Sequence, residues 1–332
     1  MTGIKILGTG YCVPEKVIKN DDYKAFVDTN DEWIRTRTGI SERHISMGEP
    51  TWLLGTNAAK KAISAAKIAV SDIGLIILTS VTADFFSPST SSIIQNEIGA
   101  IGSMVIDVNC ACAGFVYALD MAQRYLATDD DLKTVLVVSA ENLSKITDYT
   151  DRSTCVLFGD AAAACVVERS ENGLYSSFLG ADGTGGKFLF ARSIPQDNVF
   201  MSDKTQILPK DFPVSQTNSL VQNGKEVYKF AVKILPLAVE KAAEKAKISL
   251  DEIALIIPHQ ANIRIIETAS KNLGISMDKF YVNLENYGNT SSASIPLALA
   301  EAVEKGKLLR GDKICLVGFG AGLTYGAVIL EY

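Results

Sequence analysis

Histidine is the scarcest versatile residue here: among 332 residues only His44 and His259 carry an imidazole. Imidazole acid-base work has just those two places to live, since no other side chain has an unperturbed pKa between pH 5 and 8. Cysteine is sparse too. Cys12, Cys110, Cys112, Cys155, Cys165 and Cys315 are too few and too scattered for a disulfide framework in a chain this long. Beside Cys110-Ala111-Cys112 there is neither a second close cysteine pair nor a His-x3-5-His spacing, so no metal site is expected. No stretch approaches the roughly 18 to 20 apolar residues of a bilayer-spanning helix, and membrane insertion is not expected. A cationic surplus is missing as well. Thirty-two Lys and Arg stand against 38 Asp and Glu, a net charge of −6, so nucleic acid is not the expected partner. The first ten residues hold one Lys and no apolar core ending at a small-residue cleavage site. They do not read as a secretory signal, and the expected location is cytoplasmic.

What is present is an ordinary globular mixture, 47% hydrophobic and 21% charged. Short apolar runs bounded by Gly, Asp or Lys recur at Ile4–Leu7, Leu75–Leu78, Met104–Val108, Thr134–Ser139 and Ala162–Val167, and they read as buried strands. Between them, Phe115, Ala118, Leu119, Ala122 and Leu126 place one apolar face on a helix over Ala113–Leu126. Strands alternating with helices predict a layered α/β fold. The second half repeats the order: strand Ala254–Ile257, helix Asn262–Leu273, strand Phe280–Val282, helix Ser292–Val303, strands Lys313–Val317 and Thr324–Leu330. Counting from the strands pairs Cys112 with Asn289, each before a helix, and predicts that the two helix entries meet near a pseudo-twofold axis. Glu171–Lys225, richer in Gly, Ser, Pro, Asn and Gln, reads as a connector. Two halves are expected, 1–170 and 171–332. A helix over Glu226–Ala246 contains Pro236, where a kink is expected.

Cys112 sits where an apolar strand gives way to a helix, in Asn109-Cys110-Ala111-Cys112-Ala113-Gly114. The positive end of a helix favours a thiolate, so a nucleophile with a lowered pKa is expected there; the alternative is a thiol that merely packs. Cys110 is expected to point into packing. His259, in Pro258-His259-Gln260-Ala261-Asn262, stands at the C-terminal end of a strand, where open α/β sheets carry their sites; the alternative is a hydrogen-bonded loop histidine. His44, flanked by Glu42 and Arg43, reads as a surface residue. Asn289, in Gly288-Asn289-Thr290-Ser291, is either a turn and cap or a fixed amide donor that, with His259, holds a thioester oxygen as an oxyanion hole does. Gly318-Phe319-Gly320-Ala321-Gly322 opens no helix and fits neither a dinucleotide nor a phosphate loop.

These motifs, in this order, resemble β-ketoacyl-acyl-carrier-protein synthase III, the initiating condensing enzyme of fatty-acid synthesis. The resemblance runs end to end, through Gly8-Thr9-Gly10, Asp31-Glu32-Trp33-Ile34, Thr36-Arg37-Thr38-Gly39-Ile40, Glu42-Arg43-His44, Asp151-Arg152 and Phe158-Gly159-Asp160. It implies a thiolase-like α/β fold of two duplicated halves in α-β-α-β-α layers, and a homodimer. It implies that Cys112 takes an acyl group from acyl-CoA, and that His259 and Asn289 then serve the decarboxylation of malonyl-acyl-carrier protein. The backbone N–H groups of Cys112 and Ala321 would form the other oxyanion hole. Thr29, Trp33, Arg37, Arg152 and Asn262 would bind CoA, with Trp33 and Arg152 on the adenine and Arg37 on phosphate. Arg264 and Lys271 would dock the carrier protein, although Asn272 stands where a second cation is common. CoA is substrate rather than cofactor, and no cofactor is implied. Ser87 replaces a Phe common beside the partner's acyl pocket, and Ala161, Ala163 and Ala321 stand at positions where glycines are usual. Two alternatives stand beside this reading: a specialised-pathway enzyme of the same fold using an unusual acyl or aryl thioester, and a protein that binds acyl thioesters without condensing them.

Overall fold

A computed structural model describes residues 2–194, 199–200, 208–209, 211–213 and 218–332. Two sheets carry the fold. The first has five strands in the order Gly3–Cys12, Ala161–Ser170, Thr134–Glu141, Ile73–Thr79, Met104–Val108. Ile73–Thr79 runs parallel to both its neighbours, and Ala161–Ser170 antiparallel to both of its own. The second has four, in the order Leu255–Pro258, Lys313–Gly320, Thr324–Glu331, Tyr175–Ala181.

Strand alternation divides the core into layers. Leu75, Ile77, Val135 and Val137 of the first sheet share one apolar cluster with Leu255, Ile257, Leu316 and Val328 of the second. Between the sheets lie Gly114–Thr128 and Ser294–Glu304, contributing Phe115, Leu119, Ile295 and Leu299 to the same cluster. With a sheet on either side, Ser294–Glu304 is buried at nearly every position, as expected of a helix without a solvent face. The alternate residues Ile76, Leu78, Leu136 and Val138 face outward onto Thr51–Ala66 and Thr90–Ile98. Ile256, Cys315, Val317 and Ile329 do the same onto Gly224–Ala246, which runs on through Pro236, and Ile263–Leu273. The result is α-β-α-β-α, the thiolase-like layering.

Three expectations change. Phe280–Val282 is not a strand: Phe280 makes a single parallel bridge to Ile256, and Tyr281 N donates to Ile256 O at 2.9 Å. Pro258 brings no N–H to extend that ladder. The Gln260 side chain takes over instead, donating to Tyr281 O at 3.1 Å and accepting from Asn283 N at 3.1 Å. The expected connector contains an edge strand, Tyr175–Ala181, whose Ser177 turns inward to donate to buried Asp120 at 2.6 Å. Its residues 195–198, 201–207, 210 and 214–217 lie outside the described residues.

The third change concerns the duplication. Asn109 Oδ1 accepts from Ala111 N at 3.3 Å, and Asn289 Oδ1 accepts from Ser291 N at 2.9 Å. Ala111 and Ser291 both adopt left-handed backbone, φ 48° and 50°, and each begins a one-turn helix leading into a central helix. So Asn289 corresponds to Asn109, and Cys112 to Ser292. Counting from the strands slipped because it set Leu75 against Ala254 and let 37 positions stand for 35; with Leu75 against Leu255, Cys112 and Ser292 each lie 37 positions on.

Candidate active site

The two helix entries meet where the sheets converge: Cys112 Sγ lies 3.4 Å from Ser291 Oγ. A cavity of about 780 Å³ opens there, lined by Cys112, His259 and Asn289 together with Phe319, Gly320 and Ala321. Cys112, His259 and Asn289 are buried. Arg37 and Arg152, which line the same cavity, are exposed and therefore mark its mouth.

Gly320 lets the last loop approach the nucleophile, since a Cβ there would stand 2.5 Å from Cys112 N. The expected lowering of the thiol pKa is not found. Burial pushes the Cys112 thiol up to about 12, and the Ser291 hydroxyl only partly counters it. A short one-turn helix in a closed site gives less to a thiolate than its desolvation removes. Cys110 does not pack away either; half-buried, it lines the cavity, because left-handed Ala111 turns the chain between the two thiols.

Burial lowers the His259 imidazole to about 3, so it is neutral at working pH. Its Nδ1 lies 2.7 Å from Ser294 Oγ, and that hydroxyl accepts from Gln260 N at 3.4 Å. Among the described residues Nδ1 is the acceptor in reach of the Ser294 hydroxyl proton, so we assign Ser294 as donor to Nδ1 and the ring proton to Nε2. Phe319 packs edge-on against the ring, centroids 5.4 Å apart. Asn289 uses its Oδ1 on Ser291 N, which leaves the amide NH2 as the group free to donate. The chain thus supplies two neutral donors to the cavity, suited to an oxygen that becomes anionic during reaction.

At the mouth, the guanidinium carbons of Arg37 and Arg152 lie 4.6 and 4.7 Å from the Trp33 ring centroid. Arg152 also donates to Asp28 O at 2.8 Å. Asn262 caps Ile263–Leu273, accepting from Arg264 N at 2.9 Å, and donates at 3.0 Å to O of Arg37 in the helix Asp31–Thr38, so it ties the two mouth helices together. Thr29 does not line the cavity; its hydroxyl is buried without a hydrogen-bond partner. Arg264 and Lys271 are exposed on Ile263–Leu273 and do not line it either, and Arg264 donates to Thr36 O at 2.7 Å. His44 is half-buried rather than fully exposed: its Nδ1 lies 2.6 Å from Pro14 O, and its ring stacks on Tyr287 at 5.6 Å. Its neighbour Arg43 is fully buried over the Tyr23 ring, so the flanking charges gave a false signal of exposure. Ser291, Ser294 and Glu141 were missed from the sequence. The matched positions of Ala111 and Ser291, and of Gly114 and Ser294, were the signal for the two serines.

Known proteins match this chain along its full length. Residues 106–183 match the family model described as 3-Oxoacyl-[acyl-carrier-protein (ACP)] synthase III. Residues 243–332 match its C-terminal counterpart. The chain is 47% identical to a β-ketoacyl-[acyl-carrier-protein] synthase III of Clostridium acetobutylicum, covering 100% of this chain and 99% of the relative. It is also 47% identical to that of Clostridium novyi, covering 100% of both. The crystal structure of 3-oxoacyl-[acyl-carrier-protein] synthase III from Aquifex aeolicus VF5 superposes with TM-score 0.90 at 41% identity, over 99% of this chain and 100% of that one. The chain belongs to the β-ketoacyl-acyl-carrier-protein synthase III family.

Proposed function

We propose that this protein is a decarboxylating condensing enzyme that joins an acyl-CoA primer to malonyl-acyl-carrier protein and so initiates fatty-acid synthesis. The observation that carries this reading is that one cavity holds a thiol, a neutral imidazole and a free amide, with two guanidinium groups against one indole at its mouth. Cys112 Sγ attacks the acyl-CoA thioester, giving acyl-Cys112 and CoA, with the developing oxyanion held by the N–H groups of Cys112 and Ala321. Malonyl-carrier protein then binds; His259 Nε2–H and Asn289 Nδ2–H hold its thioester oxygen while carbon dioxide leaves. The resulting carbanion attacks the acyl carbon and frees Cys112. The thioester and the lost carboxylate supply the chemistry, so the reaction needs no cofactor.

Trp33, Arg37 and Arg152 receive the nucleotide end of CoA, with Asn262 and Thr29 as polar supports; a planar base enters only if Arg152 swings off the indole. Arg264 and Lys271 dock the acidic carrier protein. The protein pairs as a homodimer through Met104–Val108, an edge strand of the first sheet, beside which Phe85, Phe86, Ile101 and Met104 are exposed. Six unpaired thiols suit a reducing cytoplasm, and among the described residues no helix is long and apolar enough to cross a membrane. The names of the curated relatives favour primary fatty-acid synthesis over the specialised-pathway alternative.

The test is direct. Incubation with a panel of acyl-CoAs should add the acyl mass at Cys112, and malonyl-carrier protein should then yield the extended β-ketoacyl product. Acylation without extension would leave the protein a thioester binder or a hydrolase.

A further inference from the structure

The duplication gives the nucleophile a counterpart. Leu75 pairs with Val135 in the first sheet and Leu255 with Ile314 in the second, so six residues further along each strand Glu141 corresponds to Gly320. Each ends its strand and meets the helix entry of the other half. A Cβ on Gly320 would stand 2.5 Å from Cys112 N, whereas Glu141 meets Ser292, the counterpart of Cys112. One crossing is left open beside the reactive thiol. The other is filled by a carboxylate with no exposed surface.

Glu141 Oε1 accepts from Ser292 Oγ at 2.6 Å, and its Oε2 accepts from Val81 N at 3.0 Å, Thr82 Oγ1 at 2.8 Å and Ser80 Oγ at 3.3 Å. Four neutral donors converge on one anion, whose burial is costly unless they hold it. The carboxylate thereby fastens Ser80–Thr82 of the first half, where Val81 lines the cavity, to the turn Ser291–Ala293 of the second. That turn needs holding. Ser291 is left-handed at φ 50°, a conformation that a residue with a Cβ adopts only at a cost. Its N–H donates to Asn289 Oδ1 at 2.9 Å, which leaves the Asn289 NH2 for the cavity.

We propose that Glu141 is a positioning residue for malonyl decarboxylation: by gripping Ser292 it holds Ser291 left-handed, and Ser291 N in turn holds the Asn289 amide where it donates to the thioester oxygen. This role rests on the donor function given to Asn289 above. The nucleophile turn has its own support, since Thr324 Oγ1 donates to Cys110 O at 2.9 Å and Asn109 Oδ1 accepts from Ala111 N. Loss of the Ser292 grip therefore falls on Asn289 first and reaches Cys112 only through Ser291 Oγ, 3.4 Å from Sγ. The grip, not the charge, is what matters. An amide at position 141 keeps it: the amide oxygen faces Val81 N and Thr82, the NH2 donates to Ser292 Oγ, and the Ser292 proton turns to Thr79 O, 3.3 Å away.

The experiment measures acylation by acetyl-CoA, and single-turnover release of carbon dioxide from malonyl-carrier protein by pre-acylated enzyme. It uses the full chain, Ser292→Ala, Glu141→Gln, Asn289→Ala, and Ser292→Ala combined with Asn289→Ala. Ser292→Ala should decarboxylate about tenfold more slowly, as misplaced groups do, with acylation reduced by no more than about threefold. Glu141→Gln should lose no more than about threefold in either step. Added to Asn289→Ala, Ser292→Ala should cost less than about twofold, because the group it positions is already gone. Decarboxylation by Ser292→Ala within about twofold of the parent, equal losses in both steps, a loss undiminished in the Asn289→Ala background, or a Glu141→Gln loss as large as that of Ser292→Ala would each overturn the positioning role. Asn289→Ala decarboxylating at the parent's rate would instead remove the donor function and the anchor with it, so the two failures are distinguishable. If Ser292→Ala does not melt cooperatively, Ser292→Cys, close in size but a weak donor, takes its place. If Glu141→Gln does not, the Ser292 and Asn289 variants decide.

Discussion

Ser294 Oγ stands 2.7 Å from His259 Nδ1, the acceptor in reach of its proton among the described residues, while Gln260 N–H donates to the same oxygen. The serine therefore acts on the reaction without touching substrate: it keeps the imidazole proton on Nε2, facing the cavity. Ser294→Ala frees the ring to hold its proton on Nδ1, where it cannot serve the thioester oxygen. Malonyl decarboxylation by pre-acylated enzyme should fall about tenfold or more, by analogy with other sites where the wrong tautomer is admitted, while acylation of Cys112 is unchanged. Single-turnover release of carbon dioxide measures the first and intact-protein mass the second.

His259→Ala and Asn289→Ala remove the donors themselves. Loss of one oxyanion donor commonly slows a reaction by about 10²–10³-fold, and that loss should fall on decarboxylation. Acylation should be spared in both variants and abolished in Cys112→Ala. Equal loss of both half-reactions in His259→Ala would contradict the division of labour.

Much of this site was legible because its side chains occur where local rules place special residues. Cys112 follows a strand at a helix entry, His259 ends a strand, and Asn289 sits in a Gly-Asn-Thr-Ser turn. The layers were legible for a similar reason, since Leu75 to Leu78 and Thr134 to Ser139 read as fully buried strands and are buried on both faces. What stayed hidden depends on contacts across the duplication. Phe280 looked like a strand until Gln260 replaced its ladder, and Glu141, past the expected strand end at Ser139, gave no local sign that Ser292, far along the chain, donates to it. The thiol pKa was misjudged because a sequence shows the helix start but not the enclosure that outweighs it.

Trp33 is half-exposed at the mouth with two guanidinium groups against its ring. Trp33→Ala should raise KM for acyl-CoA by about tenfold, the loss of one stacked ring. It should leave turnover of a short N-acetylcysteamine thioester of the same acyl group unaltered, since that substrate has no nucleotide. An equal loss with both substrates would make Trp33 a structural anchor.

Gly320 packs where a Cβ would fall 2.5 Å from Cys112 N and 3.0 Å from the Ala111 Cβ. Backbone cannot yield as a flexible side chain does, so Gly320→Ala must displace the nucleophile turn. Overpacking of this kind costs about 1–3 kcal/mol, seen as a lower melting temperature, and acylation should fall further than the loss of folded protein explains. Normal acylation per folded molecule would show that the turn tolerates the shift.

The pH dependence follows from His259, whose imidazole burial lowers to about 3. Below about pH 6.5 the unfolded chain binds a proton there that the folded chain refuses, so stability from this residue falls as pH drops from about 6.5 toward 3. Glu141 and Asp160, raised by burial, work in the opposite sense, since the folded chain holds their protons more tightly. The His259 contribution is therefore isolated as a difference: from pH 7 to 5 the parent should lose several degrees of melting temperature relative to His259→Gln. Decarboxylation by the parent, measured per folded molecule, should show no inflection near 6.5, because the imidazole is already neutral. An inflection there would place a charged histidine in the site and reverse the proton assignment on which the donor role depends.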